Sequence, residues 1–113
     1  PVERGITRVL EARAAGVSLS LATDNVQDAF YPYGNYDLLA TWSLGVQVAH
    51  LAPALDWLDT ITTAPAAALG LAWDGRIAPG CPADLVQVHQ ADEYALVGAG
   101  TVARTVIRAG QVI

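Results

Sequence analysis

Asp24 and Asn25 are the residues whose types and position could carry chemistry in this 113-residue chain. They follow the apolar run "VSLSLA", residues 17–22, and lie at the start of a polar, aromatic loop, residues 23–35. A carboxylate in such a position can bind a divalent metal, act as a general base or cap the loop. Asp and Asn are also ordinary turn residues, so the residue types alone leave these roles open.

A helix, a tight turn and a strand are predicted to position Asp24. Residues 5–16 have helical apolar spacing, and Gly16 suits the position that follows a helix C-terminus. The β-favouring run 17–22 comes directly afterwards, which is the order of a repeating β/α unit. Because functional side chains of α/β sheets and barrels lie at the C-terminal ends of strands, the pattern predicts an α/β fold with Asp24 at its functional edge.

The pattern changes near residue 70. Before it, apolar spacing and Pro and Gly positions predict three more helices, the first with Asn35 as its N-cap. After it, turn residues separate short β-favouring runs, and the last two runs join at Ala109-Gly110. The chain is therefore predicted to divide into a helix-dominated part, residues 1–70, and a small all-β part, residues 71–113.

Composition excludes several partner classes. The net charge of −5 argues against nucleic acid, and no apolar run is long enough for a membrane span. One cysteine allows no internal disulfide, and the N-terminus lacks a secretory pattern, so we expect a cytoplasmic protein. The apolar fraction is 53% and the charged fraction 15%, where about a quarter charged is usual. Part of this apolar surface is therefore expected to pack against polypeptide outside the chain.

The stretch "RGITRVLEARAAGVSLSLATDNVQDAFYPYGN" resembles the last barrel turn of the amidohydrolase superfamily, in its cytosine deaminase-like branch. The similarity continues through "LGVQVAHL", "TTAPAAALGL", "GRIAPGCPADLVQV" and "VIRAGQVI", and so covers the whole chain. It implies that residues 1–70 are the C-terminal piece of a (β/α)8 barrel, comprising the last strand plus helices. Residues 71–113 would then be strands of a small composite β-sandwich domain.

The same resemblance implies a metal site and a substrate pocket. Asp24 matches the Asp of the eighth strand, which ligates a divalent metal, zinc or iron, and carries a proton from the metal-bound water to the departing amine. The chain has no His-x-His pair, so the remaining ligands are expected outside it. His50 aligns with no ligand of the family, His89 ends a predicted strand, and both are expected to be surface or core residues. Asn25 and Phe30 match positions that line the substrate pocket.

Asn25 bears on the identity of the substrate. Cytosine deaminases often carry a second Asp at this position, and Asn both donates and accepts where an ionised Asp only accepts. This departure argues against cytosine itself and leaves related cytosine-like rings, triazines and pterin-like rings as candidate substrates. Phe30 could stack on a planar ring or pack within the loop.

Three hypotheses follow. The first is that the chain is the C-terminal part of a metal-dependent amidohydrolase that deaminates a nitrogen heterocycle. The second keeps the fold but has the enzyme cleave a cyclic amide or an alkylamine C–N bond. The third, of another class, is a free-standing structural or interaction module without activity. Under the first two, the partners are a small heterocyclic substrate, the rest of the barrel and further copies of the protein. Since a barrel needs about 250 residues, this chain alone is expected to be inactive.

Overall fold

The computed structural model describes residues 5–113. Its longest helix has 12 residues, and no helix in the described part of the chain has the length and apolar character needed to cross a bilayer. The elements, in chain order, are α1 (Val9–Ala14), α2 (Leu38–Ala49), a 3-10 helix (Ala54–Ile61), α3 (Thr63–Ala68), β1 (Leu85–Val88), α4 (Glu93–Gly98), β2 (Arg104–Arg108) and β3 (Gln111–Val112).

Helix α2 is capped by Asp37. The prediction of Asn35 as the N-cap is therefore wrong. The Asp37 carboxylate accepts hydrogen bonds from the backbone N–H groups of Leu39 and Ala40, at 3.0 and 3.2 Å. Asn35 Oδ1 instead accepts from the backbone N–H of Asp37 at 2.9 Å. An N-cap must directly precede the first helical residue to reach the free N–H groups of the first turn. Asn35 therefore closes the turn that leads into the cap.

One hydrophobic core joins helices from both sides of residue 70. Trp42 is fully buried, and the polar residues Ser43 and Thr60 of the helical part are also buried. The Ser43 hydroxyl donates to the Val97 carbonyl of α4 at 2.5 Å, which ties α2 to α4. The division into two domains at residue 70 stays a prediction. The core consists of Trp42, Val46, Leu51, Ala54, Trp57, Leu96 and Val102.

The C-terminal strands form one antiparallel sheet in the order β1-β2-β3. Leu85 pairs with Ile107 and Val88 with Arg104. The predicted turn between the last two strands is confirmed at Ala109 and Gly110, whose φ angles are +49° and +79°. Two successive residues with positive φ match the right-handed twist of a two-residue hairpin. Among residues 5–113 these strands form a single sheet, and the second layer of the predicted sandwich is not found there.

The prediction of an all-β part after residue 70 is wrong, because α4 interrupts it. The Asp92 carboxylate caps α4 by accepting from the backbone N–H of Ala95 at 2.8 Å. Leu96 then packs into the shared core. The cap followed by an apolar residue was a usable signal, but six residues are too few to show helical periodicity.

Residues 17–22, predicted as a strand, form no sheet ladder within residues 5–113. A strand needs a neighbouring backbone to pair with. The segment instead donates backbone hydrogen bonds to two helices, from the N–H of Val17 to the carbonyl of Ala12 at 3.0 Å and from the N–H of Leu21 to the carbonyl of Thr60 at 2.9 Å. The strand prediction is therefore not met by this chain on its own.

The surface of the chain is large for its mass. Its accessible area is 8253 Å² and its radius of gyration is 15.3 Å. A monomeric protein of 11.8 kDa is expected to expose about 5,900 Å², and a compact domain of this length to have a radius of gyration of about 13 Å. The excess agrees with the expectation that part of the apolar surface packs against further polypeptide.

Candidate active site

The segment before Asp24 is fixed to the helical core by alternate side chains. Leu19 and Leu21 are partly buried and pack against the core, whereas their neighbours are exposed. Leu21 also lies against α2, where a Cβ atom placed on Gly45 would be 3.0 Å from its Cδ1 atom. This close approach, together with the bond to Thr60, sets the position from which the loop starts.

Asp24 is exposed and has a left-handed backbone, with φ of +58°. This region is uncommon for residues other than Gly and is tolerated best by Asn and Asp. The carboxylate has no hydrogen-bond partner among residues 5–113. Residues held in such conformations cluster at functional sites, and here the conformation leaves a carboxylate free at the open end of the segment.

Asp28, and not Asp24, is the carboxylate that organises the loop. Its Oδ1 atom accepts from the backbone N–H groups of Phe30 and Tyr31 at 2.8 and 2.9 Å. Its Oδ2 atom accepts from the side-chain amide of Asn25 at 2.5 Å. The Asn25 amide, followed by these two backbone N–H groups, holds the pKa of Asp28 below its usual value, because all three bonds favour the ionised form.

Backbone hydrogen bonds close the loop behind Asp28. The N–H of Gln27 donates to the carbonyl of Tyr33 at 3.0 Å, and the N–H of Asp28 donates to that of Tyr31 at 3.1 Å. The Gln27 side chain donates to the carbonyl of Gly34 at 3.2 Å. Gly34 has φ of +87°, which glycine adopts without steric cost. The loop is therefore ordered by its own contacts.

Aromatic side chains project from this loop. Phe30 is 89% exposed. Tyr31 and Tyr33 meet edge to face, with ring centroids 5.5 Å apart, an arrangement that aromatic pairs prefer. A free aromatic face beside a carboxylate is suited to a planar ligand, since a ring can stack on it while polar groups hold its edge.

The end of the loop is tied to the C-terminal sheet. Arg104 of β2 forms an ion pair with Asp37, in which both guanidinium nitrogens bond the carboxylate. The Arg104 guanidinium is the main reason that the pKa of Asp37 lies below its usual value, and the backbone N–H groups of α2 add to the effect. Asp37 thus caps α2 and binds the sheet with one carboxylate.

The described residues do not form a metal site by themselves. No group of three or more His, Cys, Asp or Glu side chains suited to an ion is found among residues 5–113. His50 ends α2 in a left-handed conformation with φ of +54°. His89 Nε2 lies 2.9 Å from the Thr105 hydroxyl. Neither histidine lies on the loop of Asp24, residues 23–35.

An apolar groove lies away from this loop. It has a volume of about 640 Å³ between the end of α2 and α4. Its lining is mostly apolar and includes no residue of the Asp24 loop; it consists of Val46, Gln47, Leu51, Ala52, Pro53, Ala54, Glu93, Tyr94, Val97 and Gly98.

The sequence predicted Asp24, Asn25 and Phe30 as site residues, whereas the bonds of Asp28 and the Asp37–Arg104 pair were not predicted. The structure connects Asn25 and Phe30 through Asp28. It does not test the predicted roles of Asp24, Asn25 and Phe30. The spacing of Asp28 to the N–H two residues later is that of an Asx turn, which was the available signal for it. Nothing local could indicate the pairing of Asp37 with a residue in another element.

Comparison with known proteins decides the family. Residues 1–113 match the amidohydrolase family along their whole length. The chain belongs to the amidohydrolase family. The resemblance that the Asp24 loop suggested is thereby confirmed.

Relatives of this amidohydrolase chain include deaminases. It is 40% identical over 114 aligned residues to a pterin deaminase from Rhizobium rhizogenes, covering all of this chain and 26% of that protein. The crystal structure of 5-methylcytosine deaminase from Klebsiella pneumoniae with phosphonocytosine matches with a TM-score of 0.80 and 35% identity, over all of this chain and 28% of that one. N-isopropylammelide isopropylaminohydrolase from Burkholderia multivorans matches with a TM-score of 0.76 and 30% identity, over all of this chain and 30% of that one. The amidohydrolase chain thus spans between a quarter and a third of the length of these relatives.

Proposed function

We propose that the complete protein containing this chain is a metal-dependent hydrolase that removes an amino group from a nitrogen heterocycle. The observation that carries the proposal is the division of labour between two carboxylates of one loop. Asp28 accepts the hydrogen bonds that order the loop, so the loop does not need Asp24 as its cap. Asp24 is left exposed, in a chain whose relatives include a pterin deaminase and a 5-methylcytosine deaminase.

Asp24 fits one position in the coordination sphere of zinc or iron, and the other ligands must come from outside residues 5–113. A divalent metal lowers the pKa of water enough to make it a nucleophile at neutral pH. The Oδ atoms of Asp24 would hold the proton and return it to the departing amine, which is general acid–base work suited to a carboxylate.

Asn25 and Phe30 are proposed to bind the ring. Phe30 offers an exposed aromatic face on which a planar heterocycle can stack. Asn25 lies next to Asp24 and can hydrogen-bond the edge of the same ring. The two residues are joined through Asp28, so ring stacking and edge recognition would move together.

A second candidate is cleavage of an alkylamine C–N bond on a similar ring. The similarity to N-isopropylammelide isopropylaminohydrolase favours it. The roles of Asp24 in the two reactions are the same, because in both a nitrogen leaves a ring carbon and must be protonated. The substrate therefore decides between them.

Residues 17–22 are proposed to be the last strand of a (β/α)8 barrel whose other strands pair with them in the complete protein. The C-terminal sheet would then be part of a second, smaller domain that begins near residue 70. We further propose a cytoplasmic homo-oligomer. The large surface of the isolated chain supports contacts with the rest of the barrel.

The test is Asp24→Ala in the complete protein, with Asp56→Ala as a matched control. Asp56 is an exposed acid at the start of the 3-10 helix. Ammonia release from 5-methylcytosine and pterin, and isopropylamine release from N-isopropylammelide, are measured for each variant. Loss of a group that is both ligand and proton carrier is expected to reduce turnover by at least about 10²–10⁴-fold, whereas Asp56→Ala retains it. Turnover by Asp24→Ala within a few-fold of wild type would show that the carboxylate is not catalytic.

A further inference from the structure

The side-chain amide of Asn25 has its orientation dictated by Asp28. The Asn25 Nδ2 atom lies 2.5 Å from Asp28 Oδ2. An ionised carboxylate can only accept hydrogen bonds, so the amide atom that faces it must be the NH2 group. This argument fixes the amide orientation by chemistry, although nitrogen and oxygen of an amide otherwise resemble one another. Asn25 Oδ1 therefore points away from the carboxylate and is free to accept a hydrogen bond from a ligand, while one N–H of the amide is held by Asp28.

The other oxygen of Asp28 holds the backbone that presents Phe30. Asp28 Oδ1 accepts from the N–H groups of Phe30 and Tyr31. One carboxylate therefore controls both parts of the ring site, the amide at its edge and the aromatic at its face. Asp28 needs no contact with the ligand to do so.

We propose that Asp28 is a positioning residue that makes Asn25 a fixed hydrogen-bond acceptor, so that the loop selects ring edges bearing an N–H donor. The selection of a ring edge rests on the proposed function, in which Asn25 and Phe30 bind a heterocycle. The orientation of Asn25 by Asp28 rests on the contact geometry alone. Exocyclic amino groups and protonated ring nitrogens are the donors that such an acceptor takes.

Exchange of the two residue types provides a test. Asn25→Asp places two carboxylates against each other and breaks the contact by repulsion. The double variant Asn25→Asp/Asp28→Asn restores it with donor and acceptor reversed, while position 25 still offers an acceptor to the ligand. Asn35→Asp is the matched control, since it introduces the same change at an exposed site whose Oδ1 acceptor function an aspartate retains.

Chymotrypsin cleavage after Phe30 and Tyr33 in the complete protein measures whether the contact orders the loop. Fragments are assigned by mass spectrometry. Loss of one charge-assisted hydrogen bond is expected to raise the cleavage rate of Asn25→Asp roughly fivefold or more. The double variant and Asn35→Asp are expected to stay within about twofold of wild type. If Asn25→Asp is cleaved no faster, or if the double variant is cleaved as fast as the single one, the positioning role of Asp28 is refuted.

The Michaelis constants for 5-methylcytosine and pterin then test the acceptor. We expect KM to rise at least about fivefold in Asn25→Asp, with a smaller change in kcat, and to recover in the double variant. If the loop is restored in the double variant but KM is not, Asn25 donates to the ligand and the acceptor assignment is wrong. If the wild-type protein turns over none of the rings in the panel, the proposed function fails, and the cleavage rates still decide whether Asp28 orients Asn25.

Discussion

Asp24 and Asp28 show how two identical side chains in one loop acquire different surroundings. Asp28 accepts three hydrogen bonds from its own loop, and these satisfy most of the acceptor capacity of a carboxylate. Asp24 has a left-handed backbone and remains exposed. The distinction is made by backbone geometry, since the residue types are the same.

The pKa of the Asp28 carboxyl provides a prediction about this contact. Asn25→Ala removes the largest cause of its lowered pKa, so the pKa is expected to rise toward 3.8, the usual value. The lowered pKa means that the ionised carboxylate stabilises the ordered loop. This stabilisation is complete above the usual pKa and is lost as the pH falls through the lowered pKa. Carbon-13 NMR titration of the Asp28 carboxyl in the complete protein measures the shift. Asn35→Ala is the control, and an equal pKa in wild type and Asn25→Ala would contradict the contact.

At the residue scale, the sequence predicted a functional position for Asp24, because Asp24 follows an apolar run. It could not assign the amide orientation of Asn25 or the loop-ordering role of Asp28. Both depend on side chains meeting within a loop whose backbone path is set by positive φ angles at Asp24, Gln27 and Gly34. Local residue types allow such a path without determining it.

At the scale of elements, the ion pair between Asp37 and Arg104 joins helix α2 to strand β2. Asp37→Asn is expected to keep the helix cap, since Asn caps as well as Asp, and to lose the ion pair. Asp37→Ala loses both, and is expected to destabilise the complete protein by about 1 kcal/mol more than Asp37→Asn. Chemical denaturation of the two variants beside wild type measures the difference. Equal stabilities for the two variants would show that the cap contributes nothing.

The Asp37–Arg104 pair also has a defined pH dependence. The pKa of Asp37 is lowered mainly by the Arg104 guanidinium, so the contribution of the pair to stability is complete above the usual pKa of an aspartate. It is lost as the pH falls through the lowered value. Arg104→Gln is expected to reduce this acid-dependent loss of stability. Denaturation of wild type and of the variant at pH 3 and at pH 6 measures the difference. An unchanged pH dependence in Arg104→Gln would contradict the role of the ion pair.

Gly45 of α2 is predicted to be needed for the position of the segment that leads to Asp24. A Cβ atom at Gly45 would lie 3.0 Å from Leu21 Cδ1, so Gly45→Val must displace Leu21, at a cost of about 1–3 kcal/mol. Gly98→Ala is the control, because nothing lies within 4 Å of its added Cβ, and the change is expected to be neutral or stabilising by up to about 1 kcal/mol. Thermal unfolding of the complete protein and its turnover report both effects. A Gly45→Val variant as stable and active as wild type would refute the close contact.

Element prediction from the sequence succeeded for α2, where the periodicity was long, and for the six-residue α3, where Pro65 and Gly70 marked the ends, and it failed for α4. The pattern of α2 predicted a helix that the structure contains over Leu38–Ala49. The six residues of α4 carry less than two helical turns and were missed. Residues 17–22 have strand-like composition, yet strand formation also requires a partner backbone, which no local pattern supplies.

The whole molecule exposes apolar side chains on several faces. Phe30, Ile77 and Ile113 are 89%, 81% and 75% exposed, and large exposed apolar patches mark surfaces that bind other polypeptide. We therefore predict that residues 1–113 expressed alone form aggregates of no fixed size, whereas the complete protein forms a defined oligomer. Sedimentation velocity of the isolated chain and of the complete protein measures the sizes of the species that each forms. A stable, folded monomer of the isolated chain would contradict this prediction and the proposal that the chain packs against the rest of a barrel.

The ion pair between Asp37 and Arg104 has a consequence for how this protein can evolve. The C-terminal sheet carries none of the proposed chemistry, yet Arg104 lies in it and Asp37 lies just after the loop of Asp24. A substitution that shifts β2 along its neighbours moves Arg104 away from Asp37 and releases the end of the loop. Under the proposed function, selection for turnover would constrain the register of this sheet, because Arg104 holds the end of the loop through Asp37.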